Sequence, residues 1–200
     1  MTRHLSENDR RRQVADALLH SVAEHGLDRT TIRRVADTAG VSVGLVQRYF
    51  KTKDELLRFG IEHVYQRTIQ RVDSVPIEPP VRNVVVGITE ALLPLDDERE
   101  RESRVWLAFV QSSLSDDAQQ QTHLSAVASL VDGLHRAFEG AQRAGELAES
   151  VDAGLEARTL AAFVDGLSLN QVASKSHYDR AVIRAALHTY IDRLFRDGAP

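Results

Sequence analysis

Residues 30–53 read TTIRRVADTAGVSVGLVQRYFKTK. Apolar residues recur there at helical spacing: Ile32, Val35 and Ala36, then Val46 and Phe50. Thr30 or Thr31 is placed to cap a short helix running to Ala39, because a hydroxyl oxygen accepts from the unpaired backbone N–H groups of a first turn. Gly40 breaks that helix, and Ser42 caps a second one running to Phe50. Ala36 and Val41 are small or β-branched where the two helices must pack closely. Two short helices joined by so tight a turn predict a helix-turn-helix, whose second helix lies in the major groove of DNA. The outward side of that helix carries Val43, Gly44, Gln47 and Arg48. An amide and a guanidinium pair with base edges, and an apolar side chain meets a thymine methyl. Ser42, Tyr49, Lys51 and Lys53 flank the helix, and Thr31 and Arg33 begin the preceding one, where phosphates are expected.

The helical period extends outward in both directions. Val14, Leu18 and Val22 recur every four residues with Ala15 and Leu19 beside them, and Ser6 with Asp9 marks the start of that first helix. Gly26 is its expected end. Thr52-Lys53-Asp54-Glu55 has the form of a capping box, in which a hydroxyl and a carboxylate satisfy orphan N–H groups. It opens a long helix carrying Leu57, Ile61, Val64, Thr68 and Val72. Three of the five prolines then fall at 76–80, and no helix continues through them. The expected organisation is a three-helix DNA-binding domain over 1–53, a connecting helix over 54–74 and a helical domain over 75–200. Further helices are predicted over 81–93, 97–114, 117–144, 152–174 and 179–196, with Gly145 and Gly198 as stop signals. No β-branched alternation flanked by hairpin turns occurs, so the fold class is all-α.

Charge agrees with this division. The chain of 200 residues carries a net charge of −4, which by itself does not suggest a nucleic-acid partner. Residues 1–53 hold ten Lys and Arg against six acids, a net of +4, which leaves −8 for the rest. A basic end on an acidic body suits a polyanion bound at one end only. Arg10, Arg11 and Arg12 read as the solvated start of a helix, with backbone or minor-groove contacts as the alternative. The absence of cysteine excludes disulfides, thiolate metal sites and cysteine nucleophiles. No apolar run approaches the roughly 20 residues of a membrane span, and the polar first residues lack a signal-peptide core. A cytoplasmic protein without membrane contact is expected.

The segment resembles the TetR family of bacterial regulators. Thr31, Val35, Ala36, Ala39, Gly40, Val41, Ser42, Gly44, Val46, Tyr49, Phe50, Lys53 and Leu56 stand where that family's pattern has its characteristic residues, without a gap. Gln47 replaces the family's frequent tyrosine, and an amide there is suited to reading adenine. The resemblance covers about residues 8–60. Two phrases, Arg104-Val105-Trp106-Leu107-Ala108-Phe109 and Val164-Asp165-Gly166-Leu167, are similar to the BetI-like subgroup. The resemblance implies a homodimer whose last two helices, about 152–174 and 179–196, pack against their copies. Leu160, Phe163, Leu167, Val182, Tyr190 and Leu194 are the expected interface residues. It also implies a small-molecule inducer held among the middle helices, with Trp106, Phe109, Val110, Ser113, Phe138 and Asn170 as candidates to line its pocket. The function so implied is a repressor released from a palindromic double-stranded DNA operator by its ligand, with an activator as the alternative.

Other functions find little footing. No H-E-x-x-H, Gly-rich phosphate loop or G-x-S-x-G elbow occurs, and His20 with Glu24 has no third ligand near it in sequence, so neither an enzyme, a metal site nor a cofactor is expected. A helical interaction protein without DNA binding would not need the +4 segment or the Tyr49–Lys53 end.

Overall fold

The computed structural model describes residues 6–197. Its described residues form α-helices and loops, with no strand. The helices are α1 (Glu7–His25), α2 (Ile32–Ala39), α3 (Val43–Tyr49), α4 (Lys53–Asp73), α5 (Val81–Leu92), α6 (Asp97–Ser113), α7 (Asp117–Arg143), α8 (Ala153–Ala173) and α9 (Arg180–Asp197). The all-α expectation holds, and the helix ends fall within a residue or two of those predicted. Arg3 and Gly198 lie outside the described residues.

Local chemistry explains these ends. Ser6 Oγ accepts from the Asp9 amide at 3.1 Å, and the Asp9 carboxylate accepts from the Ser6 amide at 3.2 Å, which makes a reciprocal cap. The same bonds hold the Asp9 carboxyl below its ordinary pKa, the Ser6 hydroxyl contributing most. Gly26 and Gly40 end α1 and α2 at φ of 77° and 65°, where a Cβ is strained. Thr31 is the cap of α2, while Thr30 is buried and donates from Oγ1 to the Gly26 carbonyl at 2.8 Å. At α4 the Thr52 hydroxyl caps the Glu55 amide at 3.1 Å. The Glu55 carboxylate reaches one residue further back than the box predicts and accepts from the Lys51 amide at 2.7 Å.

Two compact units divide the chain: residues 1–67 with 101–119, and residues 68–100 with 120–200. The first holds α1, α2, α3, most of α4 and most of α6. Its core joins Val14, Leu18 and Val22 of α1 to Val35, Ala36, Val46, Phe50, Leu57 and Ile61, with Val105 and Phe109 of α6. Gly60 allows the close approach of α4 to α1, since an added Cβ would overlap Leu18 Cδ2. The second unit centres on Val85, Leu134, Phe138, Leu160, Val164, Ile183, Leu187 and Ile191. In it, α9 packs on α5 and α8. The division therefore falls inside α4 and not at the proline-rich stretch. The prolines end a helix, but Leu56, Leu57, Ile61 and Val64 have already committed most of that helix to the first core. Val75, by contrast, packs against Gly87 in the second unit.

Candidate DNA-recognition site

The turn between α2 and α3 is built by backbone bonds that its sequence allows. Gly40 donates to Asp37 O at 3.2 Å, and Val41 donates to Ala36 O at 3.0 Å. Ser42 Oγ then accepts from the Leu45 amide at 3.2 Å and starts α3. Gln13 of α1 donates from Nε2 to Ala39 O at 2.8 Å, which ties the end of α2 to the first helix. Val46 and Phe50 turn the inner face of α3 into the core.

Its outer face is left clear. Gly44, Gln47 and Arg48 are exposed, and Val43 is half-buried. The Gln47 and Arg48 side chains make no hydrogen bond or ion pair among the described residues, so their donors and acceptors are available. A Cβ on Gly44 would meet nothing within 4 Å, so α3 presents bare backbone at its first turn. Thr31 and Arg33 are exposed on α2, although Thr31 Oγ1 already accepts from the Arg34 amide at 3.2 Å. Two more of the predicted DNA-contacting residues use their side chains within the protein. Lys53 Nζ donates to Leu27 O at 2.5 Å and so fastens the loop between α1 and α2 to the start of α4. Tyr49 is half-buried, its ring facing the Arg11 guanidinium.

Gln13 was not singled out in the sequence, and Arg11, read there as a solvated helix start or a backbone or minor-groove contact, instead packs on aromatic rings. The Arg11 guanidinium carbon lies 5.9 Å from the ring centroids of Tyr49 and Phe50 and 5.2 Å from that of Phe59. Phe50 and Phe59 themselves meet at 5.0 Å. An ion seated on aromatic faces is invisible in a sequence where its partners lie dozens of residues away.

The predicted ligand-pocket residues are not gathered in one unit. Trp106, Phe109, Val110 and Ser113 belong to the first unit, while Phe138 and Asn170 belong to the second. Phe109 is fully buried and meets Tyr65 edge-on at 6.4 Å. Phe138 is fully buried against Phe195. Ser113 Oγ donates to Val110 O at 2.8 Å, and Asn170 Nδ2 donates to Gly166 O at 2.8 Å. The predicted interface residues also divide. Leu160 and Leu167 are buried in the core of their own protomer, so they do not face outward. Phe163 stacks on Tyr190 at 5.1 Å, and the Tyr190 hydroxyl donates to Glu156 at 2.6 Å. Leu194 packs on the same core, and only Val182, at 43%, is exposed. Sequence periodicity offered two apolar sides of α8 and gave no means to tell which one the chain itself covers. The outward side carries Leu155, Ala162 and Leu169 at seven-residue intervals, with Thr159, Gly166 and Ala173 beside them.

Among the described residues no helix is long and apolar enough to cross a membrane, and no group of three His, Cys, Asp or Glu side chains is arranged to hold a metal ion.

Comparison with known proteins agrees with this geometry. Residues 15–58 match the family described as bacterial regulatory proteins, tetR family. Residues 81–196 match the family described as BetI-type transcriptional repressor, C-terminal. The HTH-type transcriptional regulator PksA of Bacillus subtilis is 25% identical over 196 residues, covering 97% of this chain and 94% of its own. The HTH-type transcriptional regulator BetI 2 of Chromohalobacter salexigens is 29% identical over 189 residues, covering 92% and 88%. A transcriptional regulator from a Rhodococcus species superposes with a TM-score of 0.84 at 28% identity, covering 95% of this chain and 98% of that one. A regulator from Saccharomonospora viridis, solved in complex with choline, has the same fold with a TM-score of 0.80 at 20% identity, covering 93% and 97%. These relatives are regulators and not enzymes. The chain belongs to the TetR family of helix-turn-helix transcriptional regulators, with a C-terminal domain of the BetI type.

Proposed function

We propose that this regulator is a cytoplasmic homodimeric repressor that holds a two-fold-symmetric operator until a small molecule releases it. The observation that carries the reading is the clear outer face of α3. Among the described residues Gln47 and Arg48 have no intramolecular partner, and they stand beside a glycine that lets DNA approach the backbone. Gln47 is suited to adenine and Arg48 to guanine or phosphate. The exposed Thr31, Arg33 and Lys51, with the half-buried Tyr49, are suited to the sugar-phosphate backbone.

Dimerisation is supported by the outward side of α8. Leu155 is 57% exposed and Leu169 is 46% exposed, and with Ala162 between them they form a seven-residue repeat facing away from the protomer's core. Such a stripe, flanked by the small residues Gly166 and Ala173, suits close packing of helices against a second copy. Two recognition helices then meet successive major-groove faces, which makes the operator a near-palindrome. A small-molecule ligand is supported by the BetI-type C-terminal match and by the choline held in the Saccharomonospora protein. Ligand binding releases DNA if it favours a conformation whose half-site spacing no longer fits.

The test is fluorescence anisotropy of the full-length protein on DNA from upstream of its own gene and on scrambled DNA, at several salt concentrations. Preferential binding at two protomers per site, reversed by a small molecule, is the expected result. Equal binding to both DNAs, repeated on a selected library of random duplexes, refutes sequence-specific reading.

A further inference from the structure

Arg11 lies on α1, outside the turn and both helices of the DNA-reading motif, yet it touches the end of α3. Its guanidinium sits on three rings drawn from three places: Tyr49 in the last turn of α3, Phe50 just after it, and Phe59 on α4. Arg11 Nε is buried with no hydrogen-bond acceptor, and no carboxylate pairs with the side chain among the described residues. Among the described residues it is ring faces that hold the cation, and such an interaction strengthens as water is excluded. The neighbouring Arg12 and the outward Arg48 are exposed, as a side chain free to reach a phosphate would be.

The end of α3 needs such a brace. The helix is seven residues long and passes into extended backbone at Phe50, with φ of −137°. Only side-chain packing fixes the direction of Tyr49, whose hydroxyl has no partner among the described residues. We propose that Arg11 is a positioning residue for DNA binding: seated on the Tyr49, Phe50 and Phe59 rings, it fixes the end of α3 and aims the Tyr49 hydroxyl at a phosphate, without touching DNA itself. This rests on the reading of α3 as the DNA-contacting helix.

The experiment measures the affinity of full-length protein for a duplex enriched from a random library by the wild type, over a range of salt. It compares the wild type with Arg11→Met, Arg11→Lys, Tyr49→Phe and the two double variants, with circular dichroism melts as the control for folding. Arg11→Met keeps the stem and removes the charge. It is expected to bind roughly tenfold more weakly, with the slope of log affinity against log salt unchanged, and Arg11→Lys is expected to recover part of the loss. Because Arg11 acts through Tyr49, Arg11→Met combined with Tyr49→Phe is expected to cost less than the sum of the two. A slope reduced by about 0.9, the signature of one lost phosphate contact, overturns the proposal in favour of a direct contact. Wild-type affinity in Arg11→Met, or strict additivity with Tyr49→Phe, overturns it too. Should Arg11→Met fail to fold, the cycle of Arg11→Lys with Tyr49→Phe decides by the same additivity criterion. If the wild type enriches no duplex, the DNA reading of α3 falls and this proposal with it; if it enriches one and the Arg11 variants bind it normally, only this proposal falls.

Discussion

Asp165 is a half-buried carboxyl on α8 whose desolvation raises its pKa from the ordinary 3.8 to about 6. No hydrogen bond or ion pair reaches it among the described residues. One turn before it is Ala161 of the core, and one turn after it is the exposed Leu169. A carboxyl with a raised folded pKa binds its proton more tightly in the native state than in the unfolded chain. Stability is therefore highest, in this respect, below the unfolded value near 4, falls as pH rises through about 6, and stays lost above. At about 1.4 kcal/mol for each pH unit, a rise from 3.8 to about 6 corresponds to about 3 kcal/mol at neutral pH. Asp165→Asn removes the ionisation and nearly keeps the shape. The variant is expected to melt higher than the wild type at pH 7.5, by about 6–12 °C for a chain of this size, and the difference is expected to close as pH falls toward 4. The assay is thermal or urea denaturation of both proteins across pH 4–8 at one fixed protein concentration, because the apparent stability of any self-associating protein depends on it. A difference that does not change with pH refutes the desolvation argument. A variant less stable than the wild type at pH 7.5 refutes it more strongly, since the carboxylate would then be ionised and paired in the native protein.

Gln47→Ala is expected to weaken operator binding by about 1–3 kcal/mol and non-specific binding much less; equal losses on both DNAs, measured by anisotropy, would remove Gln47 from base reading. Gly44→Ala is expected to separate folding from function. A methyl there meets open space, so the helix gains up to about 1 kcal/mol in propensity, while the closer surface displaces DNA. A variant that binds the operator as well as the wild type would show that DNA does not approach Gly44. Lys53→Met removes the cation on the Leu27 carbonyl and is expected to cost about 1–3 kcal/mol of stability, with the salt slope of DNA binding retained. An unchanged melt with a shallower slope would instead assign Lys53 to phosphate. Ala162→Glu puts charge in the outward stripe of α8 and is expected to give a folded monomer by analytical ultracentrifugation, whereas a persistent dimer would move the interface elsewhere.

The DNA-reading motif was legible because its determinants are local. Gly40 supplies the left-handed turn residue, Thr31 and Ser42 bond amides three residues on, and the inward residues of α2 and α3 follow from helical spacing. Each of these relations spans a few residues, so the chain displays both partners side by side. The relations that were not legible span tens of residues. Arg11 reads as a solvated helix start until Tyr49, Phe50 and Phe59 are brought against it. The bond from Lys53 to the Leu27 carbonyl is hidden for the same reason, since 26 residues separate the two. On α8 the difficulty is different: Leu160 and Leu167 on one side and Leu155 and Leu169 on the other are alike in hydropathy, and only the positions of α9 and the other helices decide which side is core. Phe109 and Phe138 show the same ambiguity, since an aromatic at helical spacing fills a core or lines a pocket with the same chemistry. The DNA surface is read from groups that are free, and freedom follows from an outward position on a short helix whose inward face is already assigned. A ligand pocket or a dimer seam is read from apolar groups, and those are assigned only when every competing surface in the same protomer has been covered.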